Sequence, residues 1–143
     1  ADAQGECGHA STLWTVIDLE RRTIVSSDKA PVVPVADFTP ALPSPVKVRS
    51  LEGESVDRCY HCQYTDADLN GHINNAAYIR FLENSLPADR FATRTLGELD
   101  VCYHAEILPA ADILLRLTQQ EDRFHFAVQD HGVTAFDACG KWI

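Results

Sequence analysis

Along this chain the spacing of hydrophobic and polar positions changes from strand-like to helical and back. In residues 10–25, "ASTLWTVIDLERRTIV", apolar Leu13, Trp14, Val16 and Ile17 precede a charged break, and Thr23, Ile24 and Val25 follow it. That order reads as strand, turn and strand. Residues 26–50 hold five of the seven prolines and show no helical period. Proline fixes φ and removes a backbone donor, so this segment reads as an extended connector. Residues 55–64 are a strand by composition. From Ile73 the apolar positions fall at 73, 76, 77, 79, 81, 82 and 86, the rhythm of a mostly buried helix. Asn70 or Asn74 is placed to cap its start, and Pro87 stands beyond its end.

Four strand candidates come next. "LGELDVCYHAEI" alternates Leu99, Val101, Tyr103, Ala105 and Ile107 with Glu98, Asp100, Cys102, His104 and Glu106. "DILLRLTQQ" and "RFHFAVQD" meet across a polar turn at Gln120–Asp122, and "GVTAFDACGKWI" closes the chain. One strand, one long apolar helix and four antiparallel strands make an α+β domain whose sheet must wrap the helix to bury both apolar faces. This is the order of a hotdog fold, with residues 10–25 expected to pair with a sheet edge. A faint repeat, Ala-x-x-x-Trp in "ASTLW" and "ACGKW", suggests that each copy is the last strand of such a unit.

A length of 143 residues suits one domain, or one and a fraction. The formal net charge of −9 speaks against a nucleic-acid partner. An acidic partner docking on a local basic patch remains compatible, and Arg21, Arg22, Lys47, Arg49, Arg80, Arg90 and Arg94 are candidates for one. No apolar run approaches the ~20 residues of a membrane span and no signal-peptide pattern opens the chain. The expectation is therefore a soluble cytoplasmic protein with no membrane partner. The five cysteines, at 7, 59, 62, 102 and 139, are odd in number and imply no complete disulfide framework. Cys59 and Cys62 in "CYHC" lie three apart in a strand-like run, which sends them to opposite faces. No metal site is expected there. His9, His61, His104, His125 and His131 show no ligand spacing among themselves.

The chemistry concentrates in "TDADLNGHINNAAYIRFLEN", residues 65–84. Asp66, Asp68, Asn70 and His72 are spaced two apart, so an extended chain would place all four side chains on one side. They end at a predicted helix N-terminus, whose unpaired N–H groups and dipole favour negative charge. A carboxylate, an amide, an imidazole and such donors are the parts that ester or thioester hydrolysis needs: a group to activate water and a place for the developing oxyanion. Glu106, on the polar face of the next predicted strand, is a second carboxylate. The same residue types are also ordinary cap and turn formers. Glu83 reads as a helix-surface or dimer-interface residue.

"TDADLNGHINNAAYIRFLENSLP" followed by "LDVCYHAE" resembles the catalytic half of the plant- and bacterial-type acyl-acyl carrier protein (acyl-ACP) thioesterases. The family motif D-x-N-x-H-(V/I)-N-N is matched by Asp68, Asn70, His72, Ile73, Asn74 and Asn75. Its helix continues through Tyr78, Glu83 and Pro87, and its Tyr-x-x-Glu strand is matched by Tyr103 and Glu106. The opening segment resembles the close of the family's first hotdog unit. The resemblance implies two hotdog units in tandem that hydrolyse fatty acyl-ACP and so end chain elongation. It further implies catalytic Asp68, Asn70, His72 and Glu106, acyl-ACP as partner, no cofactor, and a homodimer or tandem pseudo-dimer.

Residues 1–25 would then be the closing strands of a preceding, mostly absent unit, 26–50 the connector and 51–143 the catalytic domain. Plant members carry a Cys directly after the catalytic Glu. Here that position is Ile107, which excludes a cysteine mechanism there. On the water-activation scheme, Glu106 or Asp68 is the base, His72 and Asn70 orient the water or the thioester carbonyl, and backbone N–H groups at the helix start near Ile73 and Asn74 receive the oxyanion. The single-hotdog acyl-CoA thioesterases of the 4-hydroxybenzoyl-CoA type share the Asp-x-x-x-His and Asn-Asn elements. Asn70 and the preceding Trp-containing hairpin favour acyl-ACP over them. A non-catalytic hotdog binding module has no need of the polar set at 66–72.

Overall fold

The computed structural model describes residues 5, 8–18, 20–21, 23–26, 28–29 and 43–143. Two compact units divide at Val46 and Lys47. In the first, β1 (Ile17–Asp18) and β2 (Thr23–Ile24) pair antiparallel with Ile17 opposite Ile24. Asp18 builds the turn between them, its Oδ1 accepting from the N–H groups of Glu20 and Arg21, each at 3.0 Å. Within the segment 10–25 the two strands pair with each other as a two-stranded sheet. Its first strand is shorter than the apolar run from Leu13 predicts. The suggested repeat does not extend to environment, since Trp14 is 86% exposed and Trp142 3%. Much of the proline-rich connector (residues 27 and 30–42), together with Cys7 and Arg22, lies outside the described residues.

The second unit runs β3 (Ser55–His61), a 3-10 turn (Tyr64–Asp66), α1 (Asn75–Ser85), α2 (Ala88–Thr93), β4 (Leu96–Tyr103), β5 (Asp112–Gln119), β6 (Arg123–Asp130) and β7 (Val133–Trp142). Its five strands form one antiparallel sheet in the order β3-β5-β6-β7-β4. This is the predicted α+β hotdog arrangement, and the two periods in the sequence explain it. On α1 the 3.6-residue period places Ala77, Tyr78, Phe81 and Leu82 on one buried face. On the strands the period of two sends Leu115, Leu117, Phe124, Phe126, Val128, Phe136 and Ala138 into the same core. Burial of each large side chain contributes roughly 1.5–3 kcal/mol. Tyr78 stacks on Phe136 with ring centroids 5.2 Å apart. No residue of α2 is buried, so α1 is the single core helix among the described elements. No described helix is long and apolar enough to cross a membrane.

Asn74 caps α1, its side chain accepting from the Ala76 N–H at 2.8 Å. The helix begins two residues later than the apolar period predicts, because Ile73 is held in an antiparallel bridge with Ala67. It ends at Ser85, before Pro87, as predicted. β4 also stops short of the predicted strand. Beyond Tyr103 the N–H groups of His104 and Ala105 both donate to the carbonyl of Ala135, at 2.8 and 3.2 Å, which ends the regular ladder. Glu106 therefore lies past the strand rather than on its polar face.

Close packing appears at Gly140 on β7. A Cβ there would lie 2.2 Å from Cζ of Phe124, a ring with no exposed surface. Backbone and ring are both fixed by the core, so neither can yield cheaply. Gly140→Ala is expected to cost about 2 kcal/mol and lower Tm by about 10 °C. Thermal unfolding followed by circular dichroism checks this; an unchanged Tm would mean that the ring has room to move.

Candidate functional site

The polar segment before α1 is not extended. Residues 67–73 form a tight hairpin: Ala67 bridges Ile73, and the Asp68 N–H donates to the His72 carbonyl at 2.9 Å. Gly71 takes φ +78° at the reversal, a conformation an L side chain rarely adopts. Alternation predicts Asp66, Asp68, Asn70 and His72 on one side of the chain. The turn gives them different surroundings.

Asp66 is 2% exposed and points inward. Its Oδ2 accepts from Tyr60 Oη at 2.9 Å and from the Gln63 N–H at 2.8 Å, and its Oδ1 accepts from the Arg80 guanidinium. Its backbone carbonyl accepts from the Asn74 N–H at 2.8 Å. Asp66 thus ties β3, the hairpin and α1 together. Sequence reasoning missed this clamp because its partners come from other elements. The same contact commits Arg80, one of the candidate basic-patch residues. Arg90 and Arg94 both direct Nη1 to the Glu121 carbonyl, at 3.1 and 3.4 Å.

Asp68 shapes the turn. Its Oδ1 accepts from the N–H of Asn70 at 2.8 Å and of His72 at 3.4 Å, and its Oδ2 lies 3.5 Å from the Asn70 amide nitrogen. Donation from the Asn70 backbone holds the Asp68 carboxyl below the usual carboxylate range. Asn70 sits exposed at the hairpin tip. An open cleft of about 510 Å³ runs beside the turn, lined by Tyr64, Thr65, Ala67, Asp68, Leu69, Asn70 and Asn74.

His72 turns to Glu106. Its Nε2 is 3.2 Å from Glu106 Oε2, across segments that meet because the Ile73 N–H donates to the Ile107 carbonyl at 2.8 Å. Tyr103 supports the same junction, its hydroxyl donating to the Asn75 carbonyl at 3.2 Å. Of the four predicted residues, the fold joins His72 with Glu106 and Asp68 with Asn70.

Most of the backbone N–H groups at the helix start are already taken. Ile73 N–H is committed to Ile107 and Asn74 N–H to Asp66; the Ala76 N–H is held by the Asn74 side chain. A helix leaves its first donors to outside partners, and among the described residues nothing accepts from the Asn75 N–H. Cysteine chemistry finds little support. Burial pushes the Cys62 thiol up to about 11 and also raises Cys102 and Cys139, whereas a nucleophilic thiol needs a lowered value. Cys59 is exposed and Cys62 buried, so the "CYHC" pair does not converge. Ile107, at the position where plant members carry Cys, is fully buried.

Residues 49–142 match the acyl-ACP thioesterase C-terminal domain. The chloroplastic acyl-[acyl-carrier-protein] hydrolase FATB3 of Cuphea viscosissima is 28% identical over 104 residues, covering 68% of this chain and 25% of that protein. An acyl-ACP thioesterase from Bacteroides thetaiotaomicron superposes with a TM-score of 0.73 at 20% identity, covering 89% of this chain and 53% of that one. The 12:0-ACP thioesterase of Umbellularia californica does so with a TM-score of 0.67 at 16% identity, covering 89% and 52%. The chain spans a quarter of the curated relative and about half of each solved one. The solved structures share its fold, and with the match over residues 49–142 the chain belongs to the acyl-ACP thioesterase C-terminal domain family.

Proposed function

We propose that this chain carries the water-activating half of a thioester hydrolase that releases a fatty acid from acyl-ACP. The observation that carries the proposal is the 3.2 Å contact between His72 and Glu106 beside the N-terminus of α1. The names of the Cuphea, Bacteroides and Umbellularia relatives support the carrier.

In the proposed mechanism Glu106 takes a proton from water, and His72, 3.2 Å from it, orients the carboxylate and the attacking oxygen. Asp68 acts as a positioning residue through the Asn70–His72 turn, and Asn70 directs its amide to the water or the thioester carbonyl. The Asn75 N–H receives the developing oxyanion. The thiolate is a good leaving group, so no covalent enzyme intermediate is required. Residues 1–25 belong to this proposal as the closing segment of a preceding hotdog unit.

Carrier choice is decided by kcat/KM for one acyl chain on ACP and on CoA. Contacts with a protein carrier, remote from the reacting carbon, supply binding energy that the CoA ester lacks. The ACP ester is expected to be favoured by about tenfold or more. Equal or better turnover of the CoA ester would point to the single-hotdog acyl-CoA class. No turnover of either by the full chain would point to a binding module.

A further inference from the structure

Three side chains with metal-ligating atoms, Cys102, His104 and Asp137, meet on the sheet face turned away from α1, and His125 stands beside Asp137. Asp137 lies between Phe136 and Ala138, both in the core, so it projects to the other face. Its cross-strand partner is Cys102 on β4, and His104 follows two residues later. His125 on β6, between the core residues Phe124 and Phe126, projects the same way.

The distances are short. Cys102 Sγ is 3.8 Å from His104 Nδ1, and His104 Nε2 is 3.0 Å from Asp137 Oδ1. His125 Nε2 is 3.8 Å from Asp137 Oδ2. One ligand atom each from Cys102, His104 and Asp137 lies within 4.8 Å of the other two. His125 Nε2 is buried and, among the described residues, has no hydrogen-bond partner. An outward polar face accounts for exposed polar groups. It does not account for an imidazole nitrogen buried beside a carboxylate with nothing to bond.

We propose that Cys102, His104 and Asp137, with His125 as fourth donor, bind one zinc ion. A tetrahedral zinc with bonds of about 2.0–2.3 Å needs donor atoms roughly 3.3–3.8 Å apart. The Cys102–His104 and His125–Asp137 separations already meet that spacing, and closing the rest requires side-chain rotation at Cys102 and Asp137 as well as at the exposed His104. Thiolate and imidazole donors select zinc or cobalt over magnesium or calcium. On binding, the Cys102 thiol gives its proton to solvent as the sulfur–metal bond forms. The ion then joins β4, β6 and β7 and satisfies His125. The spacing of the histidines hides this set, because Cys102 comes from β4, His104 from the segment just after it, and the other two from strands far along the chain.

The test uses the full chain without a polyhistidine tag. Titration with Co²⁺ is expected to give a thiolate-to-cobalt charge-transfer band that saturates at one ion per chain and is displaced by Zn²⁺. Zn²⁺ should raise Tm by mass action. Cys102→Ser and His104→Ala should each weaken binding by about 100-fold or more. Cys139→Ala and Cys59→Ala should leave it unchanged. His104 is exposed, so its variant tests binding without endangering the fold. Absence of the charge-transfer band in the folded wild type would overturn the proposal. So would Co²⁺ binding that survives both ligand substitutions unchanged.

Discussion

Replacing His72 by Ala or Glu106 by Gln is expected to lower kcat by about 10²–10³ while the protein stays folded. Both side chains reach solvent, and neither belongs to the hydrophobic core. Each change removes one end of the 3.2 Å contact. Groups that act as a unit are not additive, so the double variant should fall no further than the more damaging single one. Asn75→Pro probes the oxyanion donor in the same assay. Proline removes the N–H together with the side-chain amide, so Asn75→Ala serves as the control for the side chain; proline is tolerated at the first position of a helix, and Asn74 before it already has the extended φ −62°, ψ 139° that proline requires. Loss of that donor should cost about 10²–10³ in kcat. Cys139→Ala serves as the control and should retain activity. Full turnover by Glu106→Gln, with unchanged circular dichroism, would remove Glu106 from the mechanism.

Asp66→Ala is expected to be the most damaging change to stability near the site. It strips a buried carboxylate from Tyr60, Gln63 and Arg80 and leaves their donors without an acceptor. Breaking a buried charged pair costs about 3–5 kcal/mol, and the half-exposed Arg80 side chain places this case near ~3 kcal/mol. A fall in Tm of more than about 10 °C is expected. Urea unfolding separates this effect from catalysis, because the loss should appear as a lower midpoint at unchanged slope. A midpoint equal to wild type would show that the clamp contributes nothing.

The elements whose cause is local were legible. The apolar period from Ile73 to Leu86 marked α1, and alternation marked the four strands that follow, because burial imposes those periods directly on neighbouring residues. The candidate site was read from residue types and position, His72 from its spacing to Asp66, Asp68 and Asn70 and Glu106 from a predicted strand face, and the family pattern then matched both. Partnership was not legible. Asp66 and Asp68 look equivalent in "TDADLN", yet one is a buried clamp and the other a half-buried turn former. The difference depends on Tyr60 from β3 and Arg80 from α1. The N–H groups of Ile73 and Asn74 looked available because their acceptors, Ile107 and Asp66, are supplied by tertiary register. The early end of β4 likewise depends on the Ala135 carbonyl across the sheet.

The hydrogen bond from Ile73 to Ile107 bears on how the chain becomes competent during synthesis. α1 and the β5–β6 pair can form from near neighbours. The His72–Glu106 pair cannot, because α1, α2 and β4 lie between its halves, and that loop must close before the contact is made. Among the described strands β4 pairs with β7 alone, the last of the five in chain order. A nascent chain carrying the whole Asp68–Asn75 motif therefore has no assembled His72–Glu106 contact until β7 has emerged and docked.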